Sequence, residues 1–287
     1  MTLLLILIFV FIFGLTIGSF LNCLIWRLHE KIPLTIFVRR GNKRNRSYCP
    51  KCGRQINWYD NIPLVSFIML KGKCRQCGQS IAWQYPVVEI ITGILFVMAF
   101  LYNFEFRILN LESMFNYLIF NNSIKIQNLK FIIQLLRDWF LISVMIVIFI
   151  YDLRWYLILD IVALPACLAM LAFNLILGFN LWNLLISGII GGSFFLIQFA
   201  ISQGKWLGGG DIRLGLLMGL SLGWPGAVVA ILISYFMGSI IGLGLILTGK
   251  RAWSSEMPLG VFLAAGTIIT LFWQTEILNW YFNLFTL

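Results

Sequence analysis

Two aspartates, Asp152 and Asp211, lie at the ends of apolar segments and are the first candidates for chemistry. Asp152 closes the apolar run from Trp139 to Tyr151, and Asp211 follows the glycine run Gly208-Gly209-Gly210. An aspartate in the middle of a membrane helix costs about 3 kcal/mol on insertion scales, so carboxylates in such segments are functional candidates. Two of them at matching depth predict a paired-carboxylate site that activates water, as in an aspartyl protease.

The composition indicates a polytopic membrane protein. The 287 residues are 60% hydrophobic and 11% charged, whereas a soluble domain has about 25% charged residues. We expect an all-α fold with about eight transmembrane helices. The first run lacks the basic start and cleavage site of a signal peptide, so a retained span is expected. The predicted spans are Met1–Trp26, Pro86–Asn103, Phe131–Tyr151, Tyr156–Leu177, Leu181–Ser202, Ile212–Trp224, Ala227–Leu247 and Pro258–Trp273.

The charge distribution predicts an orientation. Residues 27–85 hold twelve Lys or Arg and two acids, and 12 − 2 = +10 equals the net charge of the whole chain. The positive-inside rule makes this segment cytoplasmic. With eight spans, both termini are then periplasmic, and Asp152, Asp211 and Lys205 face the cytoplasm. The basic segment favours either contact with anionic headgroups or substrate handling. No base-reading module accompanies the charge, so nucleic acid is not an expected partner.

The basic segment contains two C-x-x-C knuckles, each followed by a glycine. The first pair is Cys49 and Cys52, and the second is Cys74 and Cys77. Four thiolates suit tetrahedral Zn²⁺, and a cytosolic position argues against structural disulfides. We therefore expect a structural zinc site, with redox-active or unliganded thiols as the alternatives.

An ordered set of motifs along the chain resembles a known family. The set runs from Gly18-Ser19-Phe20-Leu21-Asn22 through the four cysteines to Asp152, the Gly208–Asp211 motif and Met257-Pro258-Leu259-Gly260. The chain resembles the prepilin leader peptidases of type IV pilus and type II secretion systems, a branch of the GxGD aspartyl proteases. By this resemblance, Asp152 and Asp211 are the catalytic aspartates of a bacterial inner-membrane enzyme.

The resemblance also implies substrates and a second activity. The substrates would be type IV pilin-like or pseudopilin precursors, whose basic leader is cut at the cytoplasmic edge of the membrane. Many members also methylate the new N-terminus with S-adenosylmethionine, an activity linked to the large cytoplasmic loop. The implied organisation is a first transmembrane helix (1–26), a basic zinc-knuckle loop (27–85) and a seven-helix peptidase domain (86–287) with a periplasmic insertion (104–130).

Other polar residues are expected to support the site. Asp160, in the span after Asp152, is interpreted as orienting Asp152 or a basic group, or as facing a wet crevice. Glu89, at the start of the second span, has helix capping as its simplest role. Lys205 either biases the aspartates or anchors the membrane edge. The run Gly208-Gly209-Gly210 is expected to allow a sharp turn and close approach of substrate backbone.

Two other classes of protein remain open at this stage. A presenilin-like or signal-peptide-peptidase-like protease would share Tyr151-Asp152 and the glycine-aspartate motif. It would carry a late Pro-Ala-Leu element, where this chain has Pro258-Leu259-Gly260. A zinc-bearing membrane scaffold or transporter would use the aspartates to bind ions, but transporter sites lie near the midplane.

Overall fold

The fold is almost entirely helical. The computed structural model describes residues 2–30, 47–114, 121–250 and 256–284, and the side chains of 105–128 are not part of that description. Within these residues the helices are α1 (Thr2–His29), α2 (Val65–Met69), α3 (Gln84–Met114), α4 (Asn121–Trp155), α5 (Asp160–Ile176), α6 (Leu181–Ser202), α7 (Gly209–Leu222), α8 (Gly226–Leu247) and α9 (Leu259–Asn283). A 3₁₀ turn, Trp58–Asn61, precedes α2.

The helices confirm the predicted all-α membrane class. Six of them are long and apolar enough to cross a membrane: Thr2–His29, Gln84–Phe104, Leu129–Trp155, Leu181–Ser202, Gly226–Leu247 and Leu259–Asn283. The two other predicted spans contain the shorter helices α5 and α7, of 17 and 14 residues. At 1.5 Å per residue α7 is only about 21 Å long, less than the ~30 Å hydrocarbon core. The predicted total of eight spans therefore stays a prediction.

Two compact units divide the chain, at Met1–Leu101 and Tyr102–Leu287. The first unit contains α1, the cysteine-bearing segment and the first part of α3. The second contains both aspartates. The predicted insertion at 104–130 continues α3 to Met114 and begins α4 at Asn121. Residues 115–120, and the basic stretch 31–46 of the predicted loop, lie outside the described residues.

In the first unit, α1 and α3 pack antiparallel at very short range. A Cβ at Gly14 would lie 2.6 Å from Cα of Gly93, and one at Gly18 would lie 2.8 Å from Cα of Glu89. One turn further along α1, the Asn22 amide donates to the Tyr85 carbonyl at 3.1 Å. Small residues four apart on α1 thus let the two backbones approach.

In the second unit, the short helix α7 lies at the centre of the core. It packs against α5, α6, α8 and α9, and its Leu214, Leu217 and Met218 are fully buried. The contact with α6 is the closest, since a Cβ at Gly219 would lie 2.2 Å from the Ser187 carbonyl oxygen. Packing against these neighbours therefore holds α7 in place, although the helix is too short to span a bilayer. Asp211 lies in its first turn.

Candidate functional site

Asp152 lies in the last turn of α4, with its carboxylate on the start of α9. Its side chain is buried, and Oδ2 accepts a hydrogen bond from the backbone N–H of Val261 at 3.1 Å. The first N–H groups of a helix lack intrahelical partners and carry a positive partial charge, so they bind anions. The start of α9, just after Pro258, thus binds this carboxylate.

Gly260 leaves the space that the Asp152 carboxylate occupies. A Cβ there would lie 2.8 Å from Oδ2 of Asp152 and 3.0 Å from Cδ1 of Ile158. Both distances are shorter than ordinary van der Waals contact, so a larger residue would displace the carboxylate or Ile158. The late proline-glycine motif therefore contacts the candidate site directly.

Asp211 lies in the first turn of α7 and is also buried. Its Oδ2 accepts from the Gly208 N–H at 3.1 Å, and its own N–H donates to the Gly208 carbonyl at 3.1 Å. This reciprocal pair is a capping interaction that fixes the side chain against its own backbone. Each of the two aspartates is thus held by a backbone N–H at the start of a helix.

The helix starts that hold Asp152 and Asp211 share a neighbour, because Ile158 lies against both of them. This shared contact places the two carboxylates in one region of the second unit. A Cβ at Gly210 would lie 2.7 Å from Cβ of Ile158, whose Cδ1 reaches Gly260. Ile158 was not among the sequence candidates, because nothing in its own type or spacing marks it.

The glycine run differs from the expectation in its backbone. Gly208 has φ −79° and ψ 153°, which any residue adopts. The positive φ angles lie upstream, at Gln203 (52°) and Gly204 (75°). Of the three glycines, Gly210 is required by its contact with Ile158, whereas a Cβ at Gly209 would meet nothing within 4 Å.

The four predicted metal ligands converge in the first unit. The sulfur atoms of Cys49, Cys52, Cys74 and Cys77 all lie within 4.8 Å of one another, with Cys49 Sγ and Cys77 Sγ 4.0 Å apart. Four thiolates at 2.3 Å from a tetrahedral zinc would be about 3.8 Å apart. The donor set and its spacing therefore fit Zn²⁺.

The two knuckles share one backbone geometry. In the first, Cys49 N–H donates to the Arg54 carbonyl at 2.9 Å, and in the second, Cys74 N–H donates to the Gln79 carbonyl at 2.8 Å. The glycines that follow them, Gly53 and Gly78, have φ of 68° and 69°, a conformation that other residues rarely adopt. Glycine is therefore suited to the tight turn that closes each knuckle.

The surrounding amides affect the thiols unequally. The pKa of Cys74 is lowered to about 7, first by the N–H of Cys77 and then by that of Gln76. The Gln79 N–H lowers the pKa of Cys77, but loss of hydration together with the neighbouring thiols of Cys74, Cys52 and Cys49 outweighs it and raises that pKa to about 11. Four thiols this close together do not all ionise readily, because their negative charges repel. A divalent cation bound between them would stabilise the ionised form.

The second knuckle is tied to the 3₁₀ turn by an ion pair. Arg75 donates to both carboxylate oxygens of Asp60, with the shortest distance 2.8 Å, and its guanidinium lies 5.4 Å above the Tyr59 ring. On the other side, Arg54 donates to the Gln76 side chain at 2.6 Å. These contacts join the two knuckles and the turn into one small subdomain.

Comparisons with known proteins agree with this arrangement. A profile described as Bacterial Peptidase A24 N-terminal domain matches residues 12–103, and one described as Type IV leader peptidase family matches 139–243. A prepilin leader peptidase/N-methyltransferase of Aeromonas salmonicida strain A449 is 31% identical over 301 residues, covering 96% of this chain and 93% of that protein. The chain belongs to the type IV leader peptidase family.

Proteins from other bacteria carry the same name. The one from Bacillus subtilis strain 168 is 29% identical, with 96% of this chain and 97% of that protein covered. The one from Legionella pneumophila is 29% identical, with 94% and 92% covered. No solved structure matches the chain. The resemblance read from the sequence is confirmed, and membership of the leader peptidase family favours it over the presenilin-like and transporter hypotheses.

Asp160, one of the predicted supporting residues, forms an ion pair with an arginine and not with Asp152. It is the first residue of α5, and its carboxylate accepts from Arg213 of α7. Both side chains are substantially exposed, so the pair contributes at most about 1 kcal/mol. Lys205 is exposed in the turn before α7, and no ion pair involves it among the described residues. The interpretation in which Asp160 orients a basic group therefore has a structural partner, Arg213.

The capping interpretation of Glu89 is wrong. The first turn of α3 contains no acid, and Glu89 lies one turn further on, buried against α1. Its Oε2 accepts from the backbone N–H of Leu64 at 2.9 Å. Leu64 has φ 59°, so Glu89 holds a strained turn that sequence spacing alone could not connect to it.

The described residues of the first unit do not mark a site for S-adenosylmethionine. Two of its three described acids are already engaged, Asp60 with Arg75 and Glu89 with Leu64. The third, Glu30, follows the end of α1 and is exposed. No residue is therefore assigned to that cosubstrate.

Proposed function

We propose that this protein is an aspartyl endopeptidase that removes the leader from type IV pilin-like precursors and then methylates the new N-terminus. The observation that carries the proposal is that Asp152 and Asp211 are buried carboxylates held at the starts of α9 and α7, and that both of these helix starts contact Ile158. Relatives covering nearly the whole chain are named for both activities.

The proposed hydrolysis divides the work between the two carboxyl groups. Two close carboxylates do not both ionise readily and share one proton. The ionised group takes a proton from water as the water oxygen attacks the scissile carbonyl carbon, while the protonated group donates to the developing oxyanion. As the tetrahedral intermediate collapses, one of its hydroxyl groups returns a proton to the carboxylate that had donated one, and the C–N bond breaks. The leaving amine takes the proton that the other carboxyl group received from water.

The backbone contacts define what each aspartate contributes geometrically. The N–H of Val261 holds Asp152, and the N–H of Gly208 holds Asp211, each through one oxygen, Oδ2. The other oxygen of each carboxylate, Oδ1, is the proposed partner for water or substrate. The exposed Gly208 and Gly209 next to Asp211 give an extended substrate backbone access to the site.

The proposed orientation follows from charge. Residues 27–85 carry the excess of Lys and Arg, so we place them in the cytoplasm, with both termini periplasmic in the inner membrane of a bacterium. The aspartates are then on the cytoplasmic side, where the basic leader of a pilin-like or pseudopilin precursor meets its hydrophobic helix. The opposite orientation would place the leader and the dyad on different sides of the membrane.

The proposed methyl transfer belongs to the first unit. S-adenosylmethionine supplies an electrophilic methyl group, whose bond to sulfur breaks as the bond to the new N-terminal nitrogen forms. The amine must lose a proton to become nucleophilic, and S-adenosylhomocysteine is the second product. Zn²⁺ on Cys49, Cys52, Cys74 and Cys77 would be structural, since four thiolates leave no open coordination position.

The test is a reconstitution of the whole protein in proteoliposomes with one pilin-like precursor. Mass spectrometry of the product N-terminus reads both reactions at once. We expect cleavage before the hydrophobic helix in every case, and one added methyl only when S-adenosylmethionine is supplied. Cleavage without methylation would remove the second half of the proposal, and an uncut precursor would overturn the first.

A further inference from the structure

Helix α2 exposes three of its five side chains, and all three are apolar. Ile68 is 72% exposed, Met69 is 74% exposed and Val65 is 48% exposed. All three lie within five residues. Contiguous apolar exposure of this kind marks a contact with a partner or a membrane.

Two contacts pin α2 to the start of a membrane helix. Leu64, just before α2, donates its N–H to Glu89 of α3 at 2.9 Å. Phe67, in the middle of α2, packs edge-on against Trp83 with ring centroids 5.2 Å apart. Trp83 immediately precedes α3. The position of α2 relative to α3 is therefore set at both of these points.

Because these two contacts hold α2 against the start of α3, they place α2 at a defined depth in the membrane. The apolar part of α3, Gln84–Phe104, is about 31 Å long at 1.5 Å per residue, close to the ~30 Å hydrocarbon core. Trp83 then lies at the boundary, where tryptophan is favoured. Glu89 lies six residues further on, about 9 Å along the axis. α2 occupies this interval, which matches the 5–10 Å depth of interfacial helices.

The charges next to α2 suit a negatively charged surface. Lys71 and Lys73 follow it directly, and both are exposed. Residues 61–83 contain no acid, and Asp60 is already paired with Arg75. Lysines near an anionic leaflet strengthen binding to it. Apolar side chains at the boundary with lysines beside them fit anionic phospholipid.

We propose that α2 is an interfacial contact with anionic phospholipid, in which Ile68 and Met69 insert at the acyl boundary and Lys71 and Lys73 bind headgroups. This contact continues the lipid-facing surface of α3 and sets the height of the cysteine subdomain above the bilayer. It depends on α3 crossing the membrane and not on the proposed enzymatic activity.

The first test uses a photo-crosslinking residue, p-benzoylphenylalanine, at Ile68 or Met69 of the whole protein. The protein is placed in nanodiscs of phosphatidylcholine and phosphatidylglycerol, illuminated and analysed for lipid adducts. The control position is Gln79 on the second knuckle, which is also exposed. We expect lipid adducts at 68 and 69 in several-fold excess over position 79. Equal lipid-adduct yields at all positions would overturn the proposal. So would adducts at 68 and 69 that contain only protein, whether from the same chain, a second copy or another partner.

The second test isolates the charges. Lys73→Gln should lower the lipid-adduct yield at position 68 and remove its increase with phosphatidylglycerol, whereas Lys51→Gln, an exposed lysine on the first knuckle, should not. Hydrogen exchange of residues 65–73 provides a readout free of the crosslinker. It should slow in phosphatidylglycerol nanodiscs compared with pure phosphatidylcholine. An unchanged exchange rate would contradict the role of anionic lipid.

Discussion

The backbone N–H of Val261 donates to the carboxylate of Asp152 at 3.1 Å, although 109 residues separate them in the chain. This contact joins the end of α4 to the start of α9. Asp211 is held by Gly208 in the same manner at the start of α7. Each carboxylate therefore has one oxygen fixed by backbone, a form of preorganisation that needs no movement during the reaction.

Gly260→Ala should reduce leader cleavage far more than it reduces stability. The added methyl would lie 2.8 Å from Oδ2 of Asp152, and it can be accommodated only by moving the carboxylate or Ile158. A displacement of about 1 Å at a reacting group can cost on the order of 10²-fold in rate. The initial rate of precursor cleavage and the thermal unfolding midpoint are measured together.

Gly244→Ala is the matched control for that change. It also lies in a helix, and a Cβ there would meet nothing within 4 Å. We expect its cleavage rate to equal that of the parent protein. A Gly260→Ala variant that cuts as fast as Gly244→Ala would contradict the view that this glycine keeps Asp152 in place.

Gly219→Ala should destabilise the second unit. Its Cβ would lie 2.2 Å from the Ser187 carbonyl oxygen, and backbone cannot yield as a flexible side chain can. Overpacking of this kind costs about 1–3 kcal/mol, so the unfolding midpoint in detergent should fall. Gly192→Ala, on the facing surface of α6, has its nearest contact at 3.6 Å and should leave the midpoint nearly unchanged. Equal midpoints for the two variants would show that α6 and α7 are packed less closely.

Zinc should be present at one ion per chain and should hold the cysteine subdomain together. Cys52→Ser removes one of four converging sulfurs, so zinc content should fall and hydrogen exchange in residues 47–83 should rise. We expect methylation to fall more than cleavage, since the dyad is in the other unit. Cys23→Ser, a change in α1, should keep the metal. Metal analysis of the parent protein that finds much less than one zinc would contradict the site.

Glu89→Leu should loosen the turn at Leu64. The substitution leaves the Leu64 N–H without its acceptor, at a cost of about 1–3 kcal/mol for a buried donor. Hydrogen exchange of residues 62–70 should therefore accelerate. Glu89→Gln keeps an acceptor oxygen and should restore most of the protection. If both variants exchange alike, the carboxylate does not act through this hydrogen bond.

The helices and the dyad could be predicted because their signals are local. Each apolar run became a helix, and Asp152 and Asp211 stand out as acids in such runs. The four cysteines were predictable for the same reason, since a C-x-x-C knuckle with a following glycine determines its own turn. The partners of Glu89 and Asp160 could not be predicted, because they lie 25 and 53 residues away and depend on helix packing.

The role of the glycines could not be predicted from the sequence either. From the sequence, the run from Gly208 to Gly210 suggests a need for unusual backbone angles, yet those angles are ordinary. What Gly210 and Gly260 provide is space for Ile158. That need arises only after α7, α9 and the turn after α4 have come together, so no local pattern contains it.

We propose that Asp152 and Asp211 are the two catalytic groups of one peptidase site. The most direct test is leader cleavage by Asp152→Asn and Asp211→Asn in proteoliposomes, with Asp160→Asn as the control at an exposed ion pair. Each dyad variant should insert normally and lose roughly 10²–10⁴-fold or more in rate, whereas Asp160→Asn should cut at close to the parent rate. Full cleavage by either dyad variant would contradict the claim.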